Sequence, residues 1–221
     1  MNLNINSLQK KFGKNIVINE NLSKYSWFNL GGPADIFFRP ESKSQLIDFL
    51  NGVKSKKFNF NILGAGSNTL IRDKGVKGVV IKLSSKFSEI KLLDENTLEV
   101  GAAALDKKVS EYAKNNNIGK MEFLSCIPGS IGGAIIMNSG CYGSNISDIL
   151  LSIKVINHKG DEKELQKSEI EFYYRGSNIP KNYIIVSAKL RGTTFPKKLI
   201  EKKQKELIQK KKKDQPSRVK T

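Results

Sequence analysis

Apolar and polar positions along this chain predict short strands and helices in turn. Ile5 to Phe12 carries its apolar residues at helical spacing. Ala34 to Arg39 (A-D-I-F-F-R) reads as a strand, and Pro40 stops it. Ser42 is placed to cap a helix over Lys43 to Val53, with Leu46, Ile47, Phe49 and Leu50 on its buried face. Asn59 to Leu63 predicts a short strand running into a glycine loop, and Gly78 to Leu83 a core strand.

The pattern then restarts. Glu89 to Leu93 and Thr97 to Val100 alternate around Asp94-Glu95-Asn96, which predicts a hairpin. Asp106 is read as the cap of a helix ending at Ala113, near Asn115-Asn116-Asn117. Ile149 to Asn157 and Tyr183 to Leu190 are the strongest strand signals in the chain. His158 falls in a turn, His158-Lys159-Gly160-Asp161, and is expected to be exposed. Pro196 opens a terminal helix with one thin apolar stripe of Leu199, Ile200, Leu207 and Ile208. Such a helix buries little by itself and needs a neighbour. The class implied is α+β, in two mixed halves.

Composition narrows the function. The chain has 221 residues, enough for one large domain or two small ones sharing a core. No apolar run approaches the roughly 20 residues that span a bilayer, so no membrane insertion is expected. The start, Met-Asn-Leu-Asn-Ile-Asn, lacks the basic and apolar regions of a secretory signal. Two cysteines, Cys126 and Cys141, make no disulfide scaffold, and a cytoplasmic location is expected. A single histidine excludes a metal site built on several imidazoles, and no metal is expected.

The net charge is +17, yet only five of the 38 basic residues are arginine. A reader of nucleic acid uses guanidinium forks more heavily, and no basic stripe interleaved with aromatics is present. Nucleic-acid binding is therefore not expected. Residues 196–221 hold eleven Lys/Arg against three Asp/Glu, so nearly half the excess is local. The positive surface reads as a solvated basic helix or as an attractor of anionic small substrates.

Three segments carry candidate chemistry. Gly64-Ala65-Gly66-Ser67-Asn68 follows a predicted strand; successive amides in such a turn can nest a diphosphate, or it is a plain turn. Ile127-Pro128-Gly129-Ser130-Ile131-Gly132-Gly133-Ala134 runs on to Asn138-Ser139-Gly140-Cys141-Tyr142-Gly143, mixing glycines with core residues. That mixture suits a backbone packed closely against a flat or extended partner, either a ligand or another element. Phe172-Tyr173-Tyr174-Arg175-Gly176-Ser177 sets an arginine beside aromatics, where its fork can be partly desolvated and grip an anion, or it is a surface arginine.

With Phe28-Asn29-Leu30-Gly31-Gly32-Pro33-Ala34-Asp35, the ordered motifs F-x-x-G-G-P-A-D, G-x-G-S-N, I-P-G-S-I-G-G-A, N-S-G-x-Y-G and Y-R-G-S resemble one family. That family is the UDP-N-acetylenolpyruvoylglucosamine reductases (UDP-N-acetylmuramate dehydrogenases) of peptidoglycan synthesis, and the resemblance covers roughly residues 20 to 216. It implies a vanillyl-alcohol-oxidase/PCMH-type FAD-binding fold of two α/β subdomains, here 1–84 and 85–195, with 196–221 a basic helix leading onward. It implies that Gly64 to Asn68 hold the FAD pyrophosphate, and that Ile127 to Ala134 and Asn138 to Gly143 line the flavin and its ribityl chain. Since some relatives attach FAD through histidine and the one histidine here falls in a turn, noncovalent FAD is expected.

The family reaction moves a hydride from NADPH by way of FAD to the enolpyruvyl carbon of a UDP-sugar, and a proton to the neighbouring carbon. Arg175 matches the family's active-site arginine, which steadies charge on the enol oxygen; Tyr142 and Ser177 are candidate near-site partners. The resemblance also places the proton donor, a serine in an S-G-S-x-F-x-N-P-like segment, in a third domain after Gln-Pro. These 221 residues carry no such segment, so a fragment lacking its general acid is expected. A flavin-binding module without reductase activity, and another oxidoreductase of the same fold, are the alternatives. Cys126 and Cys141 stand where the family favours glycine and alanine; they read as small residues filling small spaces, or as thiols sensitive to oxidation near the flavin.

Overall fold

The computed structural model describes residues 5–53 and 60–215. Elements are numbered in chain order. The first sheet contains β1 (Ile16–Asn21), β2 (Pro33–Phe38), β3 (Phe60–Ile62) and β4 (Val76–Ile81), in the order β1-β2-β4-β3. β1 and β2 are antiparallel, whereas β2 and β3 both run parallel to β4. Parallel strands need a crossover, and α2 (Lys43–Val53) supplies it between β2 and β3. Ser42 Oγ accepts from the Gln45 amide at 3.1 Å, as a helix cap should.

One face of this sheet presents Ile36, Phe38, Val79 and Ile81 to Leu46, Phe49, Leu50 and Val53 of α2. α1 (Ile5–Phe12) adds Leu8 and Phe12 to the same core. The Phe12 ring meets Phe38 and Phe49 edge-on at 5.3 and 5.7 Å, while Phe38 and Phe49 stack at 4.2 Å. The opposite face buries Leu22, Phe37, Leu63, Ile71 and Val80.

The second half runs through β5 (Ile90–Leu92), β6 (Thr97–Gly101), α3 (Asp106–Asn115), β7 (Ile118–Gly119) and α4 (Ile131–Ile136). A tight hairpin of β8 (Gly140–Cys141) and β9 (Ser144–Asn145) follows, then β10 (Leu150–Asn157) and β11 (Glu162–Gln166). A second hairpin, β12 (Phe172–Tyr173) and β13 (Gly176–Ser177), precedes β14 (Tyr183–Arg191), β15 (Thr193–Thr194) and α5 (Lys197–Asp214). The second sheet is antiparallel, in the order β11-β10-β14-β6-β5. Its core joins Leu98 and Val100 of β6, Val109 of α3, Ile131 and Ile135 of α4, and Ile153 and Leu190 of the central strands.

The two sheets are not separate packages. Ile156 of β10 and Ile184 and Val186 of β14 are buried in the same cluster as Phe38, Phe49 and Ile81 of the first half.

Several expectations need adjustment. The strand expected from Asn59 is described from Phe60; Asn59 lies outside the described residues, as do Pro216 to Thr221. The strand expected at Gly78 begins at Val76 and ends at Ile81. Asp106 does not cap α3: Leu105 holds the cap position, and Asp106 is the first helical residue, its carboxyl turned inward. β1, β11 and α4 were not expected. The predicted hairpin does turn at Asp94-Glu95-Asn96, where Asp94 Oδ1 accepts from the Asn96 amide at 2.9 Å. His158 is exposed, with Nδ1 2.8 Å from Asn182 Nδ2.

The terminal helix finds its neighbour. α5 packs on α3 and on the short turn Glu122–Cys126, burying Ile200 and Gln204. Lys203 reaches the buried Glu122 at 3.6 Å. Leu199, expected on the apolar stripe, is exposed.

Candidate functional site: a basic cleft between two glycine loops

A cleft of about 1610 Å³ runs along the join of the two halves. That exceeds the roughly 300–1,000 Å³ of an ordinary small-molecule site. Both glycine segments border it. Gly64, Ala65, Gly66, Ser67 and Asn68 form one wall, and Ile127, Pro128, Gly129, Ser130, Gly133 and Ala134 another. Gly140, Tyr142 and Arg175 also line it. Asn138 and Gly143 do not. Asn138 is a support: its Nδ2 donates to the Tyr173 carbonyl at 3.4 Å, and its Oδ1 accepts from the Ser147 amide at 3.3 Å. Gly143 completes the turn between β8 and β9.

The first loop follows β3 and is fixed from beneath. Gly66 has φ +74°, and a Cβ there would stand 1.9 Å from the Tyr25 carbonyl oxygen, so only glycine fits. Lys82, just past β4, donates Nζ to the Gly64 carbonyl. Burial, then the nearby Arg39, hold the Lys82 pKa below the usual lysine range. A lone lysine after the apolar run of β4 was the sequence signal for this contact.

The second loop is stitched to the start of α3. Asp106 N donates to the Gly129 carbonyl at 3.1 Å, and Ile131 N to Ala104 O at 2.9 Å. Leu105 and Ser130 form an antiparallel bridge. The loops converge here, since a Cβ on Gly64 would lie 2.9 Å from Ser130 Oγ.

Behind Gly129 lies Asp106. Its side chain is fully buried, and neither carboxyl oxygen has a hydrogen-bond partner. Burial alone pushes its pKa up to about 8.

Two hairpins frame the mouth. Tyr142 (φ +52°) and Gly143 (φ +83°) are the central residues of the β8–β9 turn, the pair of left-handed conformations that a two-residue hairpin favours. Arg175, at φ +60°, sits in the β12–β13 turn. Its guanidinium lies over the Tyr174 ring at 5.7 Å. It is exposed, as the surface reading of this arginine has it, and Tyr174, its aromatic neighbour, is itself 89 % exposed. Ser177 is off the cleft lining; its Oγ donates to the Ile136 carbonyl at 3.1 Å and moors the hairpin to α4.

The end of α5 closes one side. Lys211 Nζ donates to the Cys126 carbonyl at 2.6 Å. Asp214 accepts from the Tyr142 hydroxyl at 3.2 Å, and Lys210 Nζ lies 4.7 Å from the Tyr142 ring centre. Cys126 and Cys141 both border the cleft. Burial, and secondly the neighbouring Cys126, push the Cys141 thiol up to about 11, which suppresses the reactive thiolate.

The donor set fits a dinucleotide such as FAD. Lys82, Lys108, Lys181, Lys211 and Arg175 make the lining basic. A Cβ added at Gly133 would meet nothing but Ser130 Oγ, at 3.8 Å, and would fill space that the bare backbone leaves to a ligand. Among the described residues, no cluster of metal-binding side chains occurs and no helix is long and apolar enough to cross a membrane.

Comparison with known proteins agrees with this geometry. Residues 34–166 match the FAD binding domain family. The UDP-N-acetylenolpyruvoylglucosamine reductase of Pelagibacter ubique is 42 % identical over 217 residues, covering 98 % of this chain and 72 % of that protein. The crystal structure of the Thermus caldophilus UDP-N-acetylenolpyruvylglucosamine reductase superposes with a TM-score of 0.78 at 29 % identity, over 92 % of this chain and 70 % of that one. Phl p 4.0202, a glucose dehydrogenase, shares the fold at 12 % identity, with a TM-score of 0.67 over 88 % of this chain and 45 % of that one. The chain therefore belongs to the UDP-N-acetylenolpyruvoylglucosamine reductase family, FAD-dependent oxidoreductases built on a PCMH-type fold.

Proposed function

We propose that this chain holds FAD noncovalently in the cleft and serves the NADPH-dependent reduction of UDP-N-acetylenolpyruvoylglucosamine in peptidoglycan synthesis. The observation that carries the reading is the meeting of both glycine loops and Arg175 on one basic cleft. His158 is off the cleft wall, in a turn, which favours noncovalent attachment. Bound FAD supplies the hydride-accepting and hydride-donating chemistry.

The residues divide the remaining work. Amides of Gly64 to Asn68 would hold the pyrophosphate, and the Lys82 cation beneath the loop would add to their positive field. Pro128 to Ala134 give a bare backbone surface for the flavin. Arg175 stands at the mouth, able to meet the enolpyruvyl group and steady charge on its oxygen; one well-placed donor of this kind contributes about 3–4 kcal/mol to the transition state. The basic lining draws in UDP-sugar and NADPH, both polyanions. Flavin binding is the part of the reaction that the cleft lining supports most directly.

The test is the visible absorption spectrum of the purified chain after incubation with FAD and removal of free ligand. A retained, perturbed flavin spectrum that bleaches on anaerobic addition of NADPH is expected. A colourless protein overturns the reading. NADPH oxidation that depends on the enolpyruvyl substrate then separates a reductase from a flavin-binding module without turnover.

A further inference from the structure

The charged chemistry of the cleft accounts for its lysines and Arg175, but not for Asp106. Its carboxyl is completely buried, and both oxygens lack a partner. Such an arrangement is uncommon, because an unpaired buried polar group costs free energy. Its setting is specific. The Asp106 amide is bonded to the Gly129 carbonyl at 3.1 Å, and Oδ2 would lie 2.5 Å from a Cβ on Gly129, so the carboxyl backs directly on that α-carbon. Leu105 and Ser130 on either side are joined by a bridge. Anything that moves this carboxyl moves the loop that faces the ligand.

We propose that Asp106 is a positioning residue for the dinucleotide: its uncharged carboxyl, wedged behind Gly129, holds residues 127–134 in the ligand-binding shape, and its ionisation releases them. This rests on the reading of the cleft as an FAD site. An unpaired carboxylate cannot stay in this position, since charge without solvent or a counterion is far costlier than the acid form. Ionisation must open the loop to water or to a cation. The negative charge would also oppose a ligand that carries two phosphates. Both effects weaken binding as pH rises.

The other titratable groups on the cleft lining are Lys82, Lys108, Tyr112, Cys126, Cys141, Tyr142, Arg175, Lys181, Tyr183, Lys211 and Asp214, and on the turn packed against α3 the buried Glu122 is paired with Lys203 at 3.6 Å. None of them bonds to either Asp106 oxygen. With the carboxyl titrating at about 8, the competent fraction falls to about one tenth at pH 9, and the apparent dissociation constant rises about tenfold between pH 7 and 9.

The experiment is a titration of the full chain with FAD, followed by flavin fluorescence from pH 6 to 9.5, on wild type and Asp106→Asn. Hydrogen exchange of residues 127–134 in the unliganded proteins is measured across the same range. Wild type is expected to lose about tenfold in affinity by pH 9, with protection of the loop falling in parallel beyond the intrinsic rate change. Asp106→Asn, neutral at every pH and nearly isosteric, is expected to keep the low-pH affinity and protection throughout. If Lys82 or Cys126 caused the loss, the variant would show it too. An identical pH profile in both proteins overturns this inference alone. Absence of FAD binding by both proteins at every pH overturns the reading of the cleft, and this inference with it.

Discussion

Gln204 Nε2 donates to both the hydroxyl of Ser110, at 2.8 Å, and its backbone carbonyl, at 3.2 Å. Both residues are buried, so a helix with a weak apolar stripe is held to α3 by a polar pair that water does not reach. Gln204→Leu leaves Ser110 with an unmet hydroxyl. The expected cost is about 1–3 kcal/mol. A chain of this size should lose roughly 2–4 °C in Tm per kcal/mol, which thermal melting by circular dichroism reads directly.

Arg175 should divide catalysis from cofactor binding. Arg175→Ala is expected to lower kcat by about 10²–10³ in a turnover-competent assembly. The affinity for FAD should stay within a factor of two. Arg175→Gly should lose the same activity yet relax the left-handed turn, so its melting temperature should match or exceed that of Arg175→Ala.

Gly66 tolerates no side chain. With φ +74° and the Tyr25 carbonyl in the way, Gly66→Ala must displace the loop. A stability loss above about 3 kcal/mol and abolished flavin retention are expected. Gly143→Ala, at φ +83° but with open space around it, should cost only about 1 kcal/mol, since strain without collision is all it meets. Denaturant unfolding of the two variants side by side checks the contrast.

The buried carboxyl also fixes a sign for stability. Burial raises the folded pKa of Asp106 from the ordinary 3.8 to about 8. Its contribution is fully present below about pH 4, is lost steadily as pH rises toward 8, and is level beyond that. Asp106→Asn should therefore flatten this part of the profile, so that its stability relative to wild type rises between pH 4.5 and 7. Urea denaturation at pH 4.5, 7 and 9 is the measurement. A difference between variant and wild type that is the same at pH 4.5 and 7 would contradict the assignment.

Local pattern reached some parts of this molecule and not others. β10 and β14 are long and β-branched, and α2 has both a cap and a clear apolar face, so periodicity finds them. β11 (E-K-E-L-Q) is an edge strand with one buried residue, Leu165; charges that protect an edge erase the alternation that would reveal it. α4 is six residues of isoleucine, glycine and alanine, too short to show a helical period. The glycine motifs located the cleft, but a motif does not separate wall from support. Asn138 and Gly143 belong to the same run as Gly140 and Tyr142, yet only the latter two face inward. Asp106 suited a helix start by residue type; its burial comes from Gly129, more than twenty positions away, which no local window contains.

The shared core of Ile156, Ile184 and Val186 with Phe38 and Phe49 has a mechanical consequence. A cleft between two lobes commonly opens by bending at a linker, but here the lobes are welded along one side by side chains that cannot part without exposing apolar surface to water. Clamshell motion is therefore blocked. Access to the cleft then depends on its mouth, and the hairpins that frame it are themselves tied down, by Tyr142 to Asp214 of α5 and by Ser177 to Ile136 of α4. Heating should melt both lobes in a single calorimetric transition.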